Sequence, residues 1–343
     1  MGNMQGKNSR QNDKLRVLRM ELFDNIILKI EQINNKSTFE ECQTDFHIAF
    51  GIDKNFARGM GILMDSIHCH NQEKNIRFHV FTDGIEQQDL AKLQELTQYN
   101  NISIKIYYIN IEAFRNLPTT LAWSYATYYR FIMGKVLHGL VDKVLYIDAD
   151  ILCIGMLDKL QTIDMEGNIV LAISEEGQFN VNRLSLKNGK YFNAGFLYID
   201  INKWNDAQIA EQAVALLTET PEKYTYLDQD VLNILLDGKT LFIAQQWNYL
   251  YDMRKMDNKL PQDVIFIHFI GDKPWQQWSE HHFMVKLYQE YAQKTPWANV
   301  PLLEPKHYKE KKRMARSYRK RNLYFQAFYW YIAYTIAKIK AKS

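Results

Sequence analysis

The run at residues 143–152, K-V-L-Y-I-D-A-D-I-L, limits the fold more than any other stretch of the chain. Its four apolar residues at 144–147 are too few for a buried helix and read as an interior strand. The strand stops at two carboxylates, Asp148 and Asp150, one residue apart. An open α/β sheet carries its chemistry just beyond the carboxyl ends of its strands. In extended backbone residues i and i+2 point to one side, so Asp148 and Asp150 are expected to share one hard cation and leave sites for phosphate oxygens. An acidic turn after a strand is the other reading of a bare D-x-D.

The flanking chain alternates strand and helix. Residues 45–50 read as a strand, 56–68 as a helix with Phe56, Met60, Leu63 and Ile67 at helical spacing, and 77–82 as a strand closed by Asp83 and Gly84. A helix over 86–99, a strand over 102–109 and a helix over 123–133, with Arg130 among aromatic residues, lead to Asp148. Beyond it, strands are expected at 169–173, 241–244 and 264–268, and helices at 206–217 and 228–236. This order predicts an α/β fold with a parallel sheet and crossover helices. Residues 1–44 show no clear strand pattern and read as an extension, with amphipathic helix at 15–20 and 22–28. Residues 45–280 form the expected α/β domain and 281–343 a helical, basic and aromatic extension. Gly59 and Gly61 lack the third glycine of a dinucleotide fingerprint and fall inside a helix, not in its preceding turn.

Three cysteines without C-x-x-C spacing point to neither a disulfide framework nor a zinc site, and fit a reducing compartment. No export signal or membrane-spanning run is read, so a cytoplasmic location is expected. Charge is unevenly placed: residues 306–343 hold 12 Lys/Arg against one Glu, while residues 1–305 hold 30 Lys/Arg against 38 Asp/Glu. Nine of those tail cations lie within 306–321, followed by Tyr324, Phe325, Phe328, Tyr329, Trp330, Tyr331 and Tyr334. Basic residues beside anionic lipid and rings at the headgroup level suit an interfacial helix. Packing of those rings on the body is the alternative; the acidic body argues against nucleic acid as a partner.

A second apolar run, 264–270, contains His268 and leads into Gly271, Asp272, Lys273 and Pro274. A lone histidine in such a run is either a satisfied core residue or a ligand: neutral imidazole can complete a coordination shell begun by two carboxylates, and mixed oxygen and nitrogen ligation suits Mn²⁺ better than Mg²⁺. Gly271 permits close approach of backbone to a ligand, and Lys273 either supplies a point charge for a diphosphate or is a solvated turn lysine. Asp53 and Asn55 can read a heterocycle and a ribose, or serve as ordinary loop and cap residues. Asn193, Ala194 and Gly195 place small residues where a sugar would approach, or form a bulge. Asp228 and Gln229 open a helix, where capping accounts for one acid but not for Gln229.

Six stretches in order carry a family resemblance: F-G-I-D-K-N-F-A at 50–57, Y-A-T-Y-Y-R-F at 125–131, D-K-V-L-Y-I-D-A-D at 142–150, Y-F-N-A-G-F at 191–196, L-D-Q-D-V-L-N at 227–233 and H-F-I-G-D-K-P-W at 268–275. Together they resemble family 8 of the glycosyltransferases, nearest to the bacterial enzymes that add α-linked glucose or galactose to the lipopolysaccharide outer core. The resemblance implies a single Rossmann-like nucleotide-diphosphosugar transferase (GT-A) fold, a UDP-glucose or UDP-galactose donor, and Mn²⁺ or Mg²⁺. It implies that Asp148, Asp150 and His268 hold the metal, that Gly51, Asp53 and Asn55 contact the nucleoside, and that Gly271 and Lys273 meet the phosphates. Arg130, Asn193, Ala194, Gly195, Asp228 and Gln229 would surround the hexose, with Gln229 nearest the position of a covalent nucleophile and front-face attack preferred. Relatives carry two residues between the glycine and the lysine where this chain has Asp272 alone. A lipopolysaccharide core acceptor and a peripheral place on the inner membrane of a Gram-negative bacterium follow. The alternatives are a haloacid-dehalogenase-type phosphatase, which also carries D-x-D but on its first strand, and a non-catalytic sugar-binding module.

Overall fold

In the computed structural model, residues 23, 25–33, 45–99, 101–120, 124–255 and 259–341 are described. Strands run β1 (Ile27–Ile33), β2 (Phe46–Ile52), β3 (Ile76–Thr82), β4 (Ile102–Ile109), β5 (Lys143–Ile147), β6 (Ile151–Cys153), β7 (Val170–Ala172), β8 (Phe196–Asp200), β9 (Thr240–Phe242), β10 (Tyr249–Asp252) and β11 (Phe266–Ile270). Helices of eight or more residues are α1 (Ala57–His70), α2 (Gln87–Leu96), α3 (Tyr129–Leu137), α4 (Ile209–Glu219), α5 (Leu227–Leu235), α6 (Phe283–Ala292), α7 (Tyr308–Lys320) and α8 (Tyr324–Lys340). Strand order in the 8-stranded sheet is β1-β4-β3-β2-β5-β8-β7-β9, and a 3-stranded sheet has the order β10-β11-β6.

Period-two alternation explains why β5 reads as a continuous apolar run. Leu145 and Ile147 enter one core with Ile48, Phe50 and the α1 residues Met60 and Leu63. Val144 and Tyr146 enter the other with Ile132 of α3 and Ala213 of α4. A strand covered on both faces has no polar side to display.

The alternating order of strands and helices therefore yields an α/β fold, but the sheet is mixed. β2, β3, β4 and β5 are parallel neighbours, whereas β8 runs antiparallel to both β5 and β7. Residues 22–28 were expected to be helical, yet Ile27–Ile33 is an edge strand antiparallel to β4. Its middle residues are exposed, so an edge strand of this kind shows little periodic signal. The expected helix at 15–20 lies outside the described residues. The helix expected over 123–133 begins as a 3₁₀ turn at Tyr125–Tyr128 and continues as α3; Trp123 is not described. The helix expected over 206–217 begins only at Ile209 as α4, after Gln208 with φ 51°, and a separate short helix, Ile201–Asp206, precedes it.

Helices α7 and α8 form a hairpin. His307 and Glu310 close a capping box at the start of α7, and Asn322, with φ 60°, turns the chain into α8. Tyr308 and Tyr334 meet across the hairpin with ring centroids 6.2 Å apart.

Helix α1 passes close over the Asp148–Asp150 turn at a glycine. A Cβ on Gly59 would lie 2.5 Å from the Ala149 carbonyl oxygen and 2.8 Å from the Trp275 ring. Alanine gains about 1 kcal/mol over glycine in a helix, but overpacking against backbone costs about 1–3 kcal/mol. Gly59→Ala is expected to lower stability by about 1 kcal/mol net, seen as a lower urea midpoint with unchanged slope.

Candidate active site

The chain leaves β5 at Ile147, turns through residues 148–150 and enters β6 in the other sheet. Asp148 N–H donates to the Gly195 carbonyl (2.9 Å), and the Asp150 carbonyl accepts from Phe269 N–H (3.0 Å). One acid is thus tied to the large sheet and the other to the small one. This corrects the expected geometry: the acids converge on a turn at the seam of two sheets, not by alternation along one strand. His268 comes to the same seam on β11, where it pairs with Ile151 of β6. Asp148, Asp150 and His268 each offer one ligand atom, all within 4.8 Å of one another.

Asp148 Oδ1 accepts from Tyr146 Oη (2.6 Å) and from Arg130 Nη2 (3.1 Å). Arg130, buried on α3, also donates Nη1 to the Ala194 carbonyl (2.6 Å) and sets Nε 3.2 Å from Asp228 Oδ2. Its guanidinium lies over the Tyr146 ring at 4.4 Å. Burial disfavours that charge, but Asp228, Tyr146 and Asp148 outweigh it and hold Arg130 protonated above its ordinary range. Asp228 is pushed up by burial, against the pull of Arg130 and a 2.6 Å hydrogen bond from Thr127.

Asp150 meets Lys273 Nζ through Oδ2 at 2.5 Å. Burial opposes its ionisation, yet the Lys273 ammonium keeps its carboxyl below the usual range. Its other oxygen, Oδ1, is buried without a hydrogen-bond partner, 3.2 Å from His268 Nε2.

A chain of hydrogen bonds sets the histidine tautomer. Gly195 N–H can only donate, so the atom of Asn193 at 3.0 Å from it is the acceptor Oδ1. Asn248 then presents Nδ2 to that oxygen (3.2 Å) and its own Oδ1 to His268 Nδ1 (3.1 Å). The proton of neutral His268 therefore sits on Nδ1, and the Nε2 lone pair faces Asp150 Oδ1. Two lone pairs so opposed fit a cation between them. The cradle is closed underneath by bare backbone, since a Cβ on Gly195 would lie 2.5 Å from His268 Cε1 and 2.6 Å from Asp148 Oδ2. Two carboxylates and an imidazole suit Mn²⁺, and Mg²⁺ less well.

Gln229 is held at every polar position. Its Oε1 accepts from Ala194 N–H (3.0 Å) and Asn193 Nδ2 (3.2 Å), and its Nε2 donates to Tyr191 Oη (2.9 Å) and Glu175 Oε1 (3.3 Å). Leu227, with φ 46°, starts α5 in the left-handed region, a strained conformation for a bulky residue. Asp230, the second acid of D-Q-D, is itself fully buried and is clamped by the partly exposed Arg183 (2.7 and 2.8 Å) and by Tyr191.

The remaining expected residues are distributed around this seam. Gly51 and Asp53 stand at the carboxyl end of β2, the parallel neighbour of β5. Asp53 Oδ1 caps its turn through Asn55 N–H (2.9 Å) and Oδ2 accepts from Ser124 (2.8 Å), while Asn55 is exposed. Gly271 turns the loop after β11 with φ 82°. Lys273 Nζ also donates to the Phe269 carbonyl (2.5 Å), so it is drawn onto Asp150 and its own strand. Sequence reasoning missed Tyr146, Asn248 and Glu175. Tyr146 was accessible to it, being two residues before Asp148; Glu175 lies in E-E-G at 175–177, outside the six motifs, and burial pushes its carboxyl up. Asn248 reaches His268 only through strand pairing and has no signal of its own.

This fold and seam define a glycosyltransferase of the GT-A type. The chain belongs to glycosyl transferase family 8: the family model spans residues 47–279 and the family 8 C-terminal model spans 284–338. It is 33% identical over 309 residues to a lipopolysaccharide 1,3-galactosyltransferase of Salmonella typhimurium, covering 86% of this chain and 91% of that one. It is 35% identical over 310 residues to the lipopolysaccharide glucosyltransferase WaaO of Escherichia coli, covering 85% and 91%. The crystal structure of the galactosyltransferase LgtC with donor and acceptor sugar analogues matches with a TM-score of 0.64 at 26% identity, over 75% of this chain and 98% of that one. The D-x-D follows the fifth of the described strands, not a first strand as a phosphatase of the haloacid dehalogenase type requires.

Asp230→Ala would leave Arg183 without its carboxylate and Tyr191 without its acceptor. A loss of about 3 kcal/mol in urea unfolding is expected, with kcat lowered as Gln229 loosens.

Proposed function

We propose that the protein is a retaining, metal-dependent transferase that moves glucose or galactose from a UDP-sugar to a lipopolysaccharide outer-core acceptor, forming an α-linkage. The observation that carries this reading is the convergence of Asp148, Asp150 and His268 around the unpartnered Asp150 oxygen. Bound there, Mn²⁺ or Mg²⁺ supplies Lewis-acid stabilisation of charge on the departing UDP.

The side chains divide the remaining tasks. Lys273 adds a positive charge for the diphosphate, and Arg130 holds Asp148 while facing the hexose with Asp228. Gly51, Asp53 and Asn55 receive the nucleoside, and Gly271 lets backbone approach the phosphates. Asn193, Ala194 and Gly195 shape the sugar pocket. The amide of Gln229 is saturated by four hydrogen bonds, so it acts by positioning, not as a nucleophile. The acceptor hydroxyl attacks from the face of the leaving group, and a phosphate oxygen of UDP takes its proton. Residues 45–280 carry this chemistry.

A donor panel of UDP-glucose and UDP-galactose with truncated lipopolysaccharide cores tests the reading. Transfer that requires Mn²⁺, is lost on chelation and falls about a hundredfold or more in Asp150→Ala is expected. Transfer by Asp150→Ala at the normal metal-dependent rate would remove the site assignment.

The tail supports a peripheral place on the cytoplasmic face of the inner membrane. No helix among the described residues is long and apolar enough to cross a membrane. Phe325, Phe328, Ile332, Ile336 and Ile339 nonetheless recur at helical spacing on α8 and are all exposed, Phe325 at 91%. Such a stripe beside the cations of α7 suits the headgroup region. Burying two phenylalanines contributes about 3 kcal/mol, so Phe325→Glu with Phe328→Glu is expected to cut co-sedimentation with anionic phospholipid vesicles more than about tenfold. Transfer to a soluble acceptor should persist.

A further inference from the structure

The loop that follows His268 serves two sites with consecutive residues. Lys273 reaches back to Asp150, whereas Asp272 turns the other way and pairs with Arg313 of α7 at 2.7 Å. Beyond Asp272 lies a cleft of about 670 Å³ between the loop and α7, a size typical of small-ligand sites. Its cations are Arg254, Arg313, Arg316, Lys320 and Arg321, and Asp272 is the one acid lining it among the described residues. Arg254 is spent on Asp252 (2.7 and 2.9 Å) and Arg313 on Asp272. Arg316, Lys320 and Arg321 have no carboxylate partner among the described residues.

A second observation points to a ligand. Trp278 and Ser279 line the same cleft, each 6% exposed, and Trp278 Nε1 and Ser279 Oγ are buried without a hydrogen-bond partner. Unsatisfied buried donors are costly. Beside three uncompensated cations they match an acceptor-rich anion.

We propose that this cleft binds a phosphate monoester carried by the acceptor saccharide, so that the enzyme selects an anionic acceptor. The proposal rests on the reading of the chain as a transferase to a lipopolysaccharide core. The cleft is one residue removed from the catalytic seam, on the side of the loop that Lys273 does not use. It is also distinct from the apolar stripe of the tail. Residues 313, 316, 317 and 320 fall on one face of α7 and line the cleft, while Tyr308, Lys311 and Lys312 on the opposite face meet Tyr334 and Trp330 of α8. A concave site with buried donors suits a discrete phosphate better than a flat lipid surface. The shortened spacing between Gly271 and Lys273 gains a reason: Asp272 ties α7 to the catalytic loop and forms one wall of the cleft.

The test uses the full chain, a core oligosaccharide bearing phosphate monoesters, and the same oligosaccharide after dephosphorylation with hydrogen fluoride. Binding is measured by calorimetry in the presence of UDP, and acceptor KM by transfer. Loss of the phosphate, or Arg316→Gln with Lys320→Gln, is expected to weaken binding and raise acceptor KM about tenfold. The dephosphorylated sugar should bind wild type and variant alike, and donor KM should not move. Trp278→Phe, which keeps the ring and removes the N–H, should weaken only the phosphorylated ligand. Equal binding of the two oligosaccharides would overturn the proposal. So would a double variant that loses vesicle co-sedimentation while acceptor binding stands, which would assign the cleft to lipid. A wild type that transfers no sugar would instead sink the proposed function, and the calorimetric arm would still decide the cleft.

Discussion

Two carboxylates brought together at the seam of two sheets repel each other, and much of the surrounding structure answers that repulsion. Arg130 answers for Asp148 and Lys273 for Asp150. Neither cation removes the remaining demand. Asp150 Oδ1 stays buried and unpartnered opposite the lone pair of His268, and the bare Gly195 backbone lets these groups approach closely. Charge at low dielectric is costly unless compensated, and Asp148, Asp150 and His268 are placed so that one cation could reach all three.

The polar groups around the seam form one connected and directional set. It starts at a backbone donor, Gly195 N–H, passes through Asn193 to Asn248 and to His268, and branches from Asn193 to Gln229 and Glu175. Because its first member cannot reverse, each amide downstream has one orientation. Gln229, saturated by four hydrogen bonds, is held rigidly within that set.

Much of the fold was legible because buried strands and amphipathic helices announce themselves by period. β2 to β5, α1 and α2 fall close to the expected places for that reason. The edge strand β1 did not show, since its middle residues are exposed. The expected helix at 206–217 failed at its start because a left-handed residue, Gln208, is compatible with either continuation in local pattern. Among site residues, the acids, His268 and the loop lysine were marked by their motifs. Asn248, outside any of them, acts only through the pairing of β10 with β11.

The sequence by itself determined the strand that ends in Asp148, the alternation that makes an α/β sheet, the six ordered motifs and the segregation of cations into the tail. These depend on local period and on residue type, which neighbours in the chain display. Tertiary structure alone decided that the two acids belong to a turn joining two sheets, that His268 closes their cradle, and that Asp272 faces a basic cleft while Lys273 faces Asp150. It also decided that the tail keeps an apolar face uncovered. Such facts arise from contacts between segments up to a hundred or more residues apart, where direction and distance are set by packing and no local pattern encodes them.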